Sequence, residues 1–243
     1  MRSALAAFSA ALLVLTGSCS RRAAEPAAKP PTATPAAIVE VSGGKQVSTI
    51  GTPLDQPLVV QVNNSQGAPV AGALIRFRSA NGVVFQPSSG VSGADGQFTF
   101  AVTLGGLSGR YQIAISTQGA GGKMIETRIE ELALGFQENQ GRELSDFYCA
   151  RCHDSESTPE RVSNHDNLNA QPHSFSDGAF LNKMSDADIM AIVQHGGPAL
   201  GKSAEMPPYE PTLNKTDIAA LVAYIRAVAD PPYQSREALY AKR

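Results

Sequence analysis

The hydrophobic pattern of this chain changes its period once, close to residue 135. From about residue 38 to residue 134, apolar residues alternate with polar or small ones, as in LVVQVN at 58–63 and FTFAVTL at 98–104. Short alternating runs separated by glycine-containing turns predict β-strands with one buried face. From residue 135 onward the apolar residues recur at helical spacing instead. We therefore predict a multidomain fold in which an all-β sandwich is followed by an all-α domain.

Two helices of the second region carry clear start signals. Ser185 is followed three residues later by Asp188, and Asn214 by Asp217, each just before an apolar stripe. A capping residue with an acidic residue at the third helical position satisfies two backbone donors at a helix start. The second stripe ends before Pro231, which cannot continue a helix. Both segments are predicted helices.

Between the alternating region and these helices lies the sequence CARCH, with Cys149, Cys152 and His153. Such a motif suits a redox dithiol, half of a zinc site, or covalent attachment of a c-type haem. A structural zinc site needs four ligands, and the only other cysteine is Cys19. A redox dithiol follows a strand of a βαβ unit, whereas the residues before CARCH have helical spacing. We predict one covalently attached haem c, with His153 as an axial ligand of the iron.

The second axial ligand has to come from distant sequence. Met206 is the best candidate, because Pro207 and Pro208 directly after it stiffen a polar stretch between two predicted helices. An open coordination position is a further alternative. The rival ligands are two other methionines and three histidines: Met184, Met190, His165, His173 and His195.

The N-terminus, MRSALAAFSAALLVLTGSCS, has the order of a secretory signal peptide over residues 1–18, and its apolar run is too short to span a bilayer. Its end, LTGSC, resembles the lipobox of bacterial lipoproteins, which implies lipidation of Cys19. Ser20 after the cysteine favours the outer membrane under the sorting rule of that family. The alternative is an ordinary signal peptide with an incidental cysteine. Residues 19–37 are rich in alanine and proline and predict an extended linker.

The two folded regions each resemble a known family. Residues 38–134 resemble group 1 bacterial Ig-like domains of invasin- and intimin-type surface proteins, which implies a spacer or an adhesive module. The stretches that carry this resemblance are PLVVQVNNSQGAPVAGALIRF and GADGQFTFAVTLG.

Residues 135–232 resemble a class I cytochrome c, in which the helix before the attachment site crosses the last helix. Gly141 matches the glycine at that crossing and Tyr224 the aromatic residue of the last helix. Ser145 stands where the family has an aromatic residue, so Phe147 or Tyr148 is expected to occupy that space. Residues 233–243 form a tail without a predicted structure.

These features predict an exported, lipid-anchored electron carrier on the periplasmic side of a bacterial cell envelope, and not an enzyme. A haem with two protein axial ligands has no vacant position, so no small-molecule substrate is expected. A net charge of −2 without a basic run argues against nucleic acid. Redox proteins are the expected partners, and an excess of acidic over basic residues in 135–243, 15 to 10, favours basic ones. The alternatives are an envelope adhesin or structural protein, and a haem sensor or peroxidase with a labile Met206.

Overall fold

The computed structural model describes residues 31–79, 82–159 and 161–234. The predicted signal peptide, Cys19, the first part of the linker and most of the tail lie outside the described residues. The described chain has a sheet-rich first part, up to residue 134, and a helical second part, which confirms the predicted change from β to α structure.

The described residues form nine strands, arranged in two sheets. One sheet has the order β1-β3-β7-β5 and the other β2-β9-β8-β4-β6, and β2 and β9 are the one parallel pair within the described chain. The strands are β1 (Ala37–Ser42), β2 (Val47–Thr49), β3 (Leu58–Asn63), β4 (Leu74–Arg78), β5 (Val84–Gln86), β6 (Ser89–Val91), β7 (Gln97–Thr103), β8 (Gly109–Gln118) and β9 (Met124–Leu134).

The two sheets enclose a single apolar core. Along β3, Leu58, Val60 and Val62 are buried while their neighbours are partly exposed, as the alternation predicts. Buried residues of β4, β7, β8 and β9 belong to the same core, so the sheets pack face to face. The Tyr111 hydroxyl donates to the Leu107 carbonyl at 2.7 Å and fixes the turn before β8. We call residues 31–134 the sandwich.

Part of the predicted linker is attached to the sandwich. The Thr32 amide donates to the Ala71 carbonyl at 2.9 Å, and the Ala36 amide to the Asn63 carbonyl at 2.8 Å. Pro35 between them is buried. Residues 32–36 therefore extend the sandwich, although their composition places them in the predicted linker.

Five α-helices make up the second part, residues 135–234, which we call the helical region. Both capping boxes are confirmed, with the Asp188 amide donating to Ser185 Oγ and the Asp217 amide to Asn214 Oδ1, each at 3.1 Å. Across the described ranges, every helix is too short or too polar to cross a lipid bilayer. The helices are α1 (Phe136–Tyr148), α2 (Ala150–His153), α3 (Gly178–Leu181), α4 (Asp186–His195) and α5 (Lys215–Val228), with 3₁₀ turns at His165–Asn167 and Gly197–Leu200.

Helices α1 and α5 cross in close contact at Gly141. A Cβ atom on Gly141 would lie 2.0 Å from the Ala220 carbonyl oxygen and 2.7 Å from Tyr224 Cβ, so only glycine fits. Phe147 is 79% exposed and occupies no core space. Tyr148 packs instead against the core shared by α4 and α5, so of the two aromatic residues that the sequence suggested, Tyr148 is the one in the interior.

Candidate cofactor site

One thiol, Cys149, lies at the end of α1, and the other, Cys152, lies three residues later in α2. Cys149 is the C-cap of α1, where its amide donates to the Ser145 carbonyl at 2.8 Å, and the Cys152 amide donates to the Cys149 carbonyl at 3.0 Å. This helical spacing brings both side chains to one cavity. Both thiols are free, and burial raises the pKa of Cys149 to about 12, so its thiol stays protonated at neutral pH.

The cavity has a volume of about 350 Å³ and lies between α1, α4, α5 and the loops that follow α2 and α4. Its walls are mainly apolar, which suits a large planar apolar ligand with a few polar attachment points. The apolar lining includes Leu168, Phe175, Leu181, Ile192, Val193 and Leu221.

His153 lines the same cavity with one ring nitrogen already engaged. Nδ1 lies 2.8 Å from the His173 carbonyl oxygen. Because a carbonyl only accepts, Nδ1 carries the proton, and Nε2 is left as the unprotonated nitrogen that can bind a metal. Burial lowers the pKa of His153, which favours this neutral form, and the ring packs on Phe175 at 4.7 Å between centroids. A backbone carbonyl that accepts from the second ring nitrogen is one of the usual partners that orient a metal-binding imidazole.

The structure brings Met206 into this cavity together with Cys149, Cys152 and His153. Its loop is fixed on both sides. The Gly197 amide donates to the Met206 carbonyl at 3.0 Å, and the Tyr209 hydroxyl donates to the Tyr148 carbonyl at 2.9 Å. The four residues that the sequence predicts around the cofactor therefore share one cavity, although Cys149 and Met206 are 57 positions apart in the sequence.

The rival ligands are placed differently. Met184 also lines the cavity, whereas Met190 packs in the core of α4 and α5. The His173 ring stacks on Phe180 at 3.6 Å, and the carbonyl of the same residue holds His153, so His173 lies on the His153 side.

The other two histidines lie away from the cavity lining and have acidic neighbours. His165 Nδ1 is 2.9 Å from Asp166 Oδ1, and His195 Nδ1 is 3.2 Å from Glu210 Oε2.

One contact at this site has no signal in the sequence. The Glu205 carboxylate accepts from the Asn169 and Ala170 amides, both at 3.2 Å, and from Asn169 Nδ2 at 2.8 Å. The backbone hydrogen bonds lower the pKa of Glu205 and keep it ionised. Glu205 thus joins the loop of Met206 to the loop that leads to His173, across the mouth of the cavity.

The residues present fit a haem c. Two thiols three residues apart, an imidazole with Nε2 free, and a thioether in the same apolar cavity are the donor set that this cofactor needs. The hydrogen bond of Nδ1 leaves Nε2 as the ring nitrogen available to iron, because metal ligation needs an unprotonated nitrogen.

Comparison with protein families supports the same conclusion for the helical region. The profile of the family described as cytochrome C oxidase, cbb3-type, subunit III matches residues 136–225. The match begins with α1 and ends within α5, so it includes the CARCH motif and Met206. The helical region thus matches the model of a cytochrome c domain, and haem c is the cofactor that this family implies.

Solved structures similar to this chain include surface proteins of the class that the sandwich resembles in sequence. The adhesin InvE of Yersinia pseudotuberculosis is 18% identical with a TM-score of 0.32, and the match covers 40% of this chain and 32% of that one. The D00-D0 domain of intimin is 10% identical with a TM-score of 0.30, and the match covers 45% of this chain and 51% of that one. Invasin, a bacterial integrin-binding protein, is 15% identical with a TM-score of 0.31, and the match covers 43% of this chain and 21% of that one. The chain thus spans about half the length of these structures or less. A comparison with curated proteins finds no significant match.

Proposed function

We propose that this chain is an exported c-type cytochrome that carries single electrons between redox proteins of a bacterial cell envelope. The observation that carries the proposal is the hydrogen bond from His153 Nδ1 to the His173 carbonyl, made within the cavity that both thiols and Met206 line. Fixing the tautomer in this way leaves Nε2 free to bind a metal, and the two thiols and Met206 in the same cavity favour that use of the ring.

Each side chain has a defined part in this function. Cys149 and Cys152 would hold haem c through their sulfur atoms, and His153 and Met206 would bind its iron. When bound, haem c supplies a one-electron iron couple. The His173 carbonyl increases the basicity of His153, and the apolar lining of the cavity would limit the access of water to the iron. With both His153 and Met206 bound to the iron, no coordination position would remain for a substrate, which favours a carrier over an enzyme.

The proposed location follows from the N-terminal sequence. A signal peptide over residues 1–18 and a lipid on Cys19 would export the chain and anchor it to a membrane, with the Ala/Pro segment and the sandwich as a spacer. A cytochrome domain supports export, because haem c is attached outside the cytoplasm. The excess of acidic residues in the helical region favours docking to basic redox partners.

The experiment that tests this function combines absorption spectroscopy with redox titration of the exported protein. A carrier with His153 and Met206 as ligands is low-spin in both oxidation states, shows the weak far-red band of thioether-ligated ferric haem, and titrates as one reversible one-electron couple. A high-spin ferric spectrum, with rapid binding of cyanide or peroxide, would contradict the proposal and favour a sensor or peroxidase.

A further inference from the structure

The sandwich and the helical region meet without a connecting loop. Strand β9 ends at Leu134 and α1 begins at Phe136, so Gly135 alone lies between them. A Cβ on Gly135 would lie 2.7 Å from Glu138 Oε2 and 3.3 Å from Ser108 Cβ. The junction is therefore packed against both parts of the protein.

Apolar residues of β9 are buried in this contact. Alternation places Leu132 and Leu134 on the face of β9 opposite Ile129 and Ala133, which belong to the sandwich core. Leu132 and Leu134 are nevertheless only 6% and 0% exposed. Since α1 and α5 both contact β9, the helical region covers this face.

Arg110 of β8 crosses the same contact and binds the end of α5. Its Nη2 donates to the Ala229 carbonyl at 2.8 Å and more weakly to the Ala227 carbonyl at 3.4 Å, while Nη1 pairs with Glu130. The last carbonyls of a helix have no partner within the helix, and a cation at this end also interacts favourably with the helix dipole. The Arg110 side chain is 24% exposed, so these bonds are largely shielded from water.

From the end of α5 the contacts continue to His153. The Asp230 amide donates to the Ser176 carbonyl at 2.9 Å, and the Gly178 amide donates to the Asp230 carbonyl at 3.0 Å. The segment 173–178 that is tied down in this way contains the His173 carbonyl that holds His153 Nδ1. A cavity of about 420 Å³ at the contact is lined by both Arg110 and His153, so the sandwich reaches the back of the cofactor site.

We propose that Arg110 is a positioning residue through which the sandwich holds the end of α5, and with it the segment that orients His153. The sandwich then does more than set a distance from the membrane, because it is part of the support of the cofactor site. This inference rests on the proposed function only for the role of His153, since the clamp of Arg110 on α5 is independent of the cofactor.

The first test is amide hydrogen exchange in the full protein, which reports on the clamp with or without haem. Arg110→Gln should speed exchange of the Asp230 and Gly178 amides by about tenfold. The matched control is Arg128→Gln on β9, since Arg128 is 62% exposed and pairs with Glu126. Arg110→Lys keeps the charge but has one nitrogen in place of the two that contact Glu130 and the α5 carbonyls, so it should fall between wild type and Arg110→Gln.

The second test reads the cofactor site itself. In the oxidised protein the proton on His153 Nδ1 gives a hyperfine-shifted NMR signal, and Arg110→Gln should displace it while Arg128→Gln leaves it in place. Exchange rates in Arg110→Gln equal to those in Arg128→Gln would overturn the clamp. Faster exchange with an unmoved His153 signal would overturn the positioning role. Protein without covalent haem would contradict the proposed function, while the exchange test of the clamp would still stand.

Discussion

The two proposed axial ligands are supported in different ways. His153 is fixed by a main-chain carbonyl and by packing on Phe175, whereas Met206 depends on a loop held by Gly197 and Glu205. A thioether sulfur is also a weak metal ligand. The Met206 side is therefore the side at which the site is expected to open first.

Replacement of Met206 by alanine should keep the covalent haem but remove the thioether ligand. We expect the far-red band to disappear and the potential to fall by a fraction of the roughly 0.8 V range that axial ligands control. Met184→Ala is the matched control, because Met184 lines the same cavity. Loss of the band in Met184→Ala and its retention in Met206→Ala would reverse the assignment of the ligand.

Glu131 is predicted to make stability depend on pH. Its side chain is 0% exposed, Oε2 accepts from the Gln46 amide at 2.6 Å, and Oε1 has no hydrogen-bond partner in the structure. Burial raises the pKa of Glu131 to about 7. The hydrogen bond from the Gln46 amide lowers this pKa in part, whereas the negative charge of Glu40 raises it further. Between about pH 4.5 and 7 the folded protein then binds more protons than the unfolded chain, so stability falls as pH rises.

The measurement is denaturant unfolding of wild type and Glu131→Gln across this pH range. The wild type should lose up to about 3 kcal/mol between pH 4.5 and pH 7 at this site and then level off. Glu131→Gln cannot ionise, so it should lack this decline and be the more stable protein at pH 8. Parallel pH curves for the two proteins would show that Glu131 ionises in the folded state as it does in the unfolded chain.

At the residue scale, the sequence could predict the side chains of the site but not their supports. The spacing of Cys149, Cys152 and His153 is a local pattern, and the prolines after Met206 are local as well. The acceptor for His153 is a backbone carbonyl, which every residue has and no side chain signals. Glu205 finds its partners at Asn169 and Ala170, 36 and 35 residues away, and only the fold brings them together.

At the scale of helices and strands, the predictable parts are those with a local cause. Strand β3 follows its alternation, and α4 and α5 begin at their capping boxes. Strands β2, β5 and β6 have three residues each, which is too short for a period to show. Residues 32–36 carry no apolar pattern, and they are ordered by hydrogen bonds to Ala71 and Asn63 that depend on the tertiary fold.

The crossing of α1 and α5 should not tolerate a side chain at Gly141. Alanine favours helix over glycine by about 1 kcal/mol, but its Cβ would lie 2.0 Å from the Ala220 carbonyl oxygen. The overlap is with backbone, so the helices have to separate, and we expect Gly141→Ala to cost about 3 kcal/mol or more of unfolding free energy. Gly106→Ala is the control, since nothing lies within 4 Å of its Cβ position. Equal stability of the two variants would contradict the close crossing.

At the scale of the whole molecule, the sandwich, if it is the proposed spacer, would set the direction of the helical region as well as its distance from the membrane. A spacer that joins a lipid anchor to a cytochrome needs length alone, but β9 runs into α1 through one residue and Arg110 binds the end of α5. The contacts of β9 and Arg110 therefore hold the helical region against the sandwich.

The anchor itself is a prediction from sequence, and Cys19 lies outside the described residues. Cys19→Ala should release the protein from membranes into the soluble fraction, because a lipid on this residue is the anchor that the sequence predicts. Fractionation after a salt wash, with blotting for the haem domain, measures the distribution. Continued sedimentation of Cys19→Ala with membranes would point to another mode of attachment.

The central claim is that Cys149 and Cys152 carry a haem beside His153, and peptide mass mapping of the exported protein tests it most directly. We predict that the peptide containing CARCH has the mass of its sequence plus one haem. Cys149→Ser and Cys152→Ser should each retain at most one thioether, and the double variant none. Recovery of folded, exported wild-type protein with both thiols unmodified would contradict the account.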